Sequence, residues 1–164
     1  MQTLTDKTDG EAHESYLQQQ LPFWRIQLQQ QGWQGHELAQ ALDKITHAFT
    51  QTLNDPKGRW LLDNSHAHSA CEFVLFHKQG ERLRESIIDR TFVAEGVRWI
   101  IDYKTSAPTG EQTDEEFIAR ELATYRAQLE RYHRCFTAMG ETDIRMVLYF
   151  PMLESGKWQI VEAE

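Results

Sequence analysis

Two aspartates and a lysine stand at the ends of neighbouring strand-like segments of this sequence. Asp102 and Lys104 close the segment Val97–Lys104, and Asp89 belongs to the segment before it. Residues two apart in a strand project from the same face, so Asp102 and Lys104 present a carboxylate and an ammonium together. The connection that contains Gly96 is short enough for a hairpin turn, and antiparallel pairing then brings Asp89 beside Asp102.

Paired carboxylates of this kind predict a metal site. Two aspartates a few ångströms apart repel each other, and a hard divalent cation with oxygen ligands is the usual means of keeping both ionised. We therefore expect Mg²⁺ between Asp89 and Asp102, with Mn²⁺ as a substitute ion. Together with Lys104, the pattern is typical of a metal-dependent nuclease.

Two further candidates, Gln128 and Tyr132, lie on a predicted long helix that begins at a cap on Thr113 or Asp114 and ends near Gly140. Its apolar stripe consists of Phe117, Leu122, Tyr125, Leu129, Tyr132 and Phe136. Gln128 and Tyr132 are four residues apart and therefore share one helix face.

The remaining elements surround these two features. The strand pattern predicts a three-stranded meander from Cys71–Lys78, Arg82–Phe92 and Val97–Lys104, with later strands at Ile144–Phe150 and Lys157–Val161. Before residue 59, apolar spacing predicts two helices. Pro22 should bend or divide the first helix, and the stretch 54–58 should end the second.

Bulk properties restrict the function. The 164 residues fit one domain, the formal net charge is −8, and no apolar run is long enough to cross a membrane. The start lacks the features of a signal peptide, so we expect a cytoplasmic protein without a membrane partner. A negative chain holds nucleic acid weakly by itself, since such affinity depends on lysine and arginine. A local arginine cluster and partner domains would have to provide the affinity for nucleic acid.

The order helix, three strands, helix, strand, with acidic groups on the second and third strands, resembles the core of the PD-(D/E)XK nuclease superfamily. More narrowly, it is similar to the nuclease domain that ends the RecB and AddA subunits of bacterial helicase-nucleases, which act on double-strand breaks. The motifs that carry the resemblance are Glu72-Phe73-Val74-Leu75, Ile87-Ile88-Asp89-Arg90, Asp102-Tyr103-Lys104 and Gln128-Leu129-Glu130-Arg131-Tyr132, which fits the family's Gln-x-x-x-Tyr pattern.

The resemblance implies roles for these residues. Asp89, Asp102 and the main-chain carbonyl of Tyr103 would ligate the cation. Lys104 would orient or deprotonate the attacking water and neutralise charge on the transition state. Glu72 would lie at the edge of the site, in contact with Lys104 or a metal-bound water.

Gln128 and Tyr132 would buttress the metal site and contact the DNA backbone. The implied fold is an α+β restriction-endonuclease-like core, a mixed sheet with an antiparallel meander flanked by helices, plus an N-terminal helical lobe. The implied organisation is a single nuclease domain over 1–164, with the lobe at 1–58 and the core at 59–164, ending a longer helicase-nuclease. DNA and helicase domains of the same or a partner chain would be its partners.

One departure concerns a histidine. The RecB and AddA branch carries a metal-site histidine on an upstream helix, within a Gly-x-x-x-His pattern. Here His13 is available, but it stands three residues after Gly10 rather than four. Two alternatives follow: His13 substitutes, or the histidine precedes Met1 in a longer polypeptide.

Two other functions fit the same residues. The domain could be a nuclease fold without catalysis that binds DNA or acts as a scaffold in a helicase-nuclease complex. It could also be an unrelated α/β domain in which Asp102 and Lys104 form an ordinary surface ion pair.

Overall fold

A mixed β-sheet of five strands, together with four helices, makes up the described part of the chain. The computed structural model describes residues 10–154 and 157–163, and the side chains of residues 10–14 and 79 lie outside this description. The chain divides into two units, Met1–Asn64 and Ser65–Glu164. None of the described helices has the length and hydropathy needed to cross a membrane.

The first unit is helical, with α1 at Gly10–Gln30 and α2 at Gly35–Asn54. Pro22, expected to bend or divide α1, lies inside one continuous helix and therefore does not divide it. A proline removes one backbone donor, but ring contacts on both sides of it hold α1 against α2. Tyr16 stacks on Phe49 at 5.6 Å between ring centroids, and Trp24 meets Phe49 edge-on at 5.8 Å.

A third helix, α3 at Pro56–Leu62, follows α2 almost directly. The sequence 54–58 does end α2, as predicted, but it also begins α3, which the sequence reasoning missed. Asp55 caps α3 by accepting a hydrogen bond from the Lys57 N–H at 3.1 Å, and Pro56 occupies the first turn. Both residues are favoured at a helix start because the first N–H groups have no partner within the helix.

The second unit contains the sheet, in the order β1-β2-β3-β4-β5. Neighbouring strands are antiparallel except β3 and β4, which are parallel. The strands are β1 Ala67–Gln79, β2 Arg82–Ala94, β3 Val97–Tyr103, β4 Ile144–Tyr149 and β5 Trp158–Val161. The predicted meander is confirmed, and this α+β architecture with a mixed sheet is compatible with a restriction-endonuclease-like fold.

The turn between β2 and β3 fixes their register. Glu95 and Gly96 have φ values of 52° and 79°, and the flanking residues Ala94 and Val97 pair directly. Two consecutive positive φ angles are the geometry of a two-residue hairpin whose twist matches the strands. This turn sets which residue of β2 lies opposite each residue of β3, and so positions the predicted acidic groups.

Helix α4, Asp114–Ala138, connects the parallel strands β3 and β4. It begins as predicted: the Thr113 hydroxyl accepts from the Glu116 N–H at 3.2 Å, while the Glu116 carboxylate accepts from the Thr113 N–H at 3.1 Å. Its apolar stripe packs on one face of the sheet to form the core of this unit. Core members are Leu75, Ile88, Ile100, Phe117, Leu129, Tyr132, Phe136, Met146, Leu148, Phe150, Leu153 and Val161.

Candidate active site

Asp102 and Lys104 meet at the end of β3, under α4. The Lys104 ammonium forms an ion pair with Asp102 Oδ2, and both side chains are largely buried, at 14% and 4% exposure. The ammonium also lies over the ring of Tyr125 on α4, with Nζ 3.3 Å from the ring centroid. An acidic oxygen and an aromatic face therefore hold Lys104, where burial strengthens both interactions.

A chain of hydrogen bonds joins Asp102 to α4. Gln128 Nε2 donates to Asp102 Oδ1 at 3.2 Å and to the Tyr132 hydroxyl at 2.8 Å. The Tyr132 hydroxyl in turn donates to the Ile87 carbonyl of β2 at 3.0 Å. Gln128 and Tyr132, four residues apart on α4, therefore form one hydrogen-bonded unit. This unit orients the Asp102 carboxylate from the side of the helix.

Asp89 lies near the same strand end. Its Oδ2 accepts a hydrogen bond from the backbone N–H of Tyr103 at 2.9 Å. The β2–β3 ladder ends with Arg90 opposite Ile101, the residues that adjoin Asp89 and Asp102. The two carboxylates are close enough for the charge of Asp89 to raise the pKa of Asp102.

Strand alternation changes at Asp89. Ile88 packs in the core under α4, and Thr91 also belongs to that face because it pairs with Ile100, another member of the core. Ile88 and Thr91 are three residues apart, whereas strict alternation would put such residues on opposite faces. Across the ladder, Glu72 has a φ of 51°, in the left-handed region. Such irregularities re-aim side chains and occur next to active sites.

The electrostatics of Asp102 reflect this setting. Its pKa is raised, first because burial penalises the charged carboxylate, and further because Asp89 is close. The close contact with the Lys104 ammonium and its positive charge act in the opposite direction but do not prevail. Burial also raises the pKa of the Tyr132 hydroxyl, so this group stays protonated and able to donate.

Two predicted residues stand apart from this cluster. Glu72 is exposed and makes no hydrogen bond or ion pair with any residue that the structure describes, including Lys104. The backbone of His13 is part of α1, but its side chain lies outside the described residues. The proposed roles of Glu72 and His13 therefore remain predictions.

Two residues on α4 were not singled out from the sequence. Tyr125 supplies the ring under Lys104, and the buried Glu121 accepts a hydrogen bond from the Ser106 hydroxyl at 3.4 Å. Glu121 and Tyr125 lie seven and three residues before Gln128, on the same helix face. That spacing was a usable signal, since a helix face that carries one site residue presents its neighbours at i−3 and i−7 to the same place.

The donor set favours a hard cation with few protein ligands. Within the described residues, no group of three or more His, Cys, Asp or Glu side chains is placed to hold a metal ion. Asp89 and Asp102 are two oxygen donors, and the buried Asp102 Oδ2 has no hydrogen bond of good geometry to a described residue, although it contacts Lys104. Mg²⁺ commonly binds through one or two carboxylates plus water and substrate phosphates, so these residues fit that ion.

Part of the chain is similar to a component of a helicase-nuclease. An ATP-dependent helicase/nuclease subunit of Staphylococcus saprophyticus is 34% identical over 68 residues. The matched stretch covers 40% of this chain, which spans only 6% of that relative's length. No protein-family model matches the chain.

Proposed function

We propose that this chain is a Mg²⁺-dependent DNA nuclease domain, exonuclease-like, of a helicase-nuclease that acts in double-strand break repair and recombination. The observation that carries the proposal is the Asp102 carboxylate, bound by Lys104 on one oxygen and by Gln128 on the other, with Asp89 beside it. The similarity to a helicase/nuclease subunit supports the same conclusion. Helicase domains, in the same or a partner chain, would deliver the DNA.

In this proposal, Asp89 and Asp102 hold Mg²⁺, together with the main-chain carbonyl of Tyr103. The ion would supply Lewis-acid activation of the phosphodiester and of water. Gln128 keeps the Asp102 carboxylate in one orientation, because its amide is itself fixed by Tyr132. The Asp89 carboxylate is fixed independently, by the Tyr103 N–H. Two carboxylates oriented from different elements form a site that needs little rearrangement before it acts.

Lys104 would act on the substrate directly. Its buried ammonium can stabilise the negative charge that grows on the phosphoryl oxygens in the transition state, and it can orient the attacking water. Tyr125 and Asp102 keep this ammonium at the end of β3 rather than in solvent. Mn²⁺ should replace Mg²⁺, since it accepts the same oxygen ligands.

Cleavage of linear single- and double-stranded DNA by the purified chain tests the proposal. We expect degradation with Mg²⁺ or Mn²⁺, none with EDTA, and a loss of at least about 100-fold in rate for Lys104→Met. Lys44→Met is a matched control, because Lys44 is an exposed lysine on α2. Equal rates for wild type and Lys104→Met would contradict the proposal. DNA binding without cleavage under all conditions would instead favour an inactive DNA-binding module.

A further inference from the structure

A groove of about 520 Å³ opens between β1 and the C-terminal half of α4, and the site described above does not use it. β1 is an edge strand of the sheet, so this side of the groove has no further strand beside it. The residues that bear on its chemistry are Phe76, His77 and Lys78 from β1, and Arg131, Arg134 and Met139 from α4.

The groove is basic in a chain whose formal net charge is −8. Lys78, Arg131 and Arg134 contribute three positive charges, and no aspartate or glutamate is present among the described residues that line it. A fourth arginine, Arg84, pairs with His77 across the β1–β2 hairpin. Such a concentration of one sign of charge attracts an anion of the opposite sign.

The arginines of the groove differ from others on the same helix. Arg120 bonds to Glu121 and Gln112, and Arg126 lies 4.0 Å from Glu130. By contrast, Arg131 and Arg134 have no ion pair with any residue that the structure describes. The buried Nε of Arg131 and the buried Nδ1 of His77 also lack hydrogen bonds to described groups. Charged groups without internal partners point to an external anion.

One apolar side chain accompanies these charges: Met139 lines the groove and is 59% exposed. Phe76 alternates along β1 with Leu75, a core residue under α4, so its ring projects from the opposite face of the sheet. A basic groove without acidic side chains among its described lining residues suits the phosphates of a nucleic acid strand.

The groove and the candidate active site share helix α4. Arg131 is adjacent in sequence to Tyr132, whose hydroxyl connects Gln128 with the Ile87 carbonyl. Gln128 and Arg134 are six residues apart, about 9 Å along the helix axis.

We infer that this groove is a binding site for the phosphates of a single DNA strand, which contact Arg131 and Arg134. The inference rests on the proposed function for the identity of the nucleic acid. It adds a site that holds the strand and needs no metal.

Fluorescence anisotropy of a labelled single-stranded oligodeoxynucleotide in EDTA tests the site without cleavage. We expect Arg131→Gln with Arg134→Gln to weaken binding at least about tenfold and to lower the slope of log K against log salt by about 1.4, or 0.7 for each phosphate contact. The matched control is Arg25→Gln with Lys44→Gln, which removes two exposed charges from the helical unit. We expect that control to change the affinity less than about twofold.

Circular dichroism and thermal melting verify that every variant folds.

Three results would overturn the inference: no binding by wild type at about 100 µM protein in low salt, equal weakening by groove and control variants, or equally strong competition by an oligoglutamate peptide. The last result would assign the groove to an acidic polypeptide. The nuclease proposal fails independently, through cleavage that does not depend on Lys104. Loss of binding in the groove variants without any cleavage by wild type would reject the nuclease alone.

Discussion

The ammonium of Lys104 lies on the face of the Tyr125 ring, 3.3 Å from its centroid, while it forms an ion pair with Asp102. This geometry makes Tyr125 a positioning residue. A cation over an aromatic face is stabilised by about 0.5–2 kcal/mol, and more when both groups are withdrawn from water. The ring, not the hydroxyl, supplies this interaction.

We therefore expect Tyr125→Phe to keep cleavage within about threefold of wild type, whereas Tyr125→Leu lowers kcat about tenfold and leaves KM nearly unchanged. Steady-state kinetics on an oligonucleotide substrate measures both constants. A purely structural role for Tyr125 would instead lower the thermal stability of the leucine variant and leave kcat of the folded fraction intact.

Loss of the Tyr132 hydroxyl should affect both stability and catalysis. Tyr132→Phe keeps the buried ring but removes the bond to the Ile87 carbonyl and the acceptor for Gln128. An unpaired buried polar group costs about 1–3 kcal/mol, so denaturant unfolding should show a loss of that size. Tyr16→Phe removes a hydroxyl from α1 and should change the free energy of unfolding much less. Equal effects of the two substitutions would show that the Tyr132 hydroxyl is not part of a connected unit.

The raised pKa of Asp102 predicts how stability depends on pH without metal. Burial, and secondarily the charge of Asp89, makes the folded state bind a proton on Asp102 more tightly than the unfolded chain does. The contribution to stability is therefore fully present below the unfolded pKa of about 3.9 and is lost as pH rises through the higher folded value.

The substitution Asp102→Asn removes the carboxyl group whose ionisation lowers stability as the pH rises. In EDTA, we expect the asparagine variant to gain stability relative to wild type as the pH rises from about 4 to about 7, measured by urea unfolding at several pH values. Asp43→Asn, at an exposed position on α2, should run parallel to wild type. If the free energy of unfolding of Asp102→Asn also depended on pH as that of wild type does, the burial of an ionised carboxylate would be contradicted.

Divalent cations should offset the stability that is lost when the buried Asp102 carboxylate ionises. At ten times the dissociation constant, a ligand that binds only the folded state stabilises it by about 1.4 kcal/mol. We expect Mg²⁺ or Mn²⁺ to raise Tm of wild type, and the shift to disappear in Asp89→Asn and in Asp102→Asn. Titration calorimetry gives the affinity directly, with Asp43→Asn as the control. An unchanged shift in both aspartate variants would place the cation elsewhere.

Local rules were sufficient for much of the fold. The Thr113–Glu116 capping box, the turn at Glu95-Gly96 and the change from helical to strand spacing all act within a few residues of sequence. Simple alternation also predicted that Asp102 and Lys104 lie together, although β3 ends at Tyr103, one residue before Lys104. The start of α3 was missed because Asp55 and Pro56 both end one helix and begin the next.

The parts that escaped prediction depend on tertiary packing. Alternation alone would not place both Ile88 and Thr91 on the face under α4, and the change at Asp89 accompanies a left-handed residue, Glu72, on the neighbouring strand. Glu121 looks like a solvated helix residue in the sequence, yet it is buried beside Ser106. The change at Asp89 has no local sequence signature, whereas the position of Glu121 is signalled only by its place seven residues before Gln128 on the same helix face.

The parallel pairing of β3 with β4 has a consequence for when the pocket comes into existence. Parallel neighbours require a long crossover, and here α4 fills it, so Gln128 reaches Asp102 from 26 positions away. During synthesis, Asp89, Asp102 and Lys104 leave the ribosome well before β4, the strand that pairs with β3 once α4 has crossed between them. Such distant contacts form late and slowly, so the pocket belongs to the finished fold and to no shorter nascent intermediate.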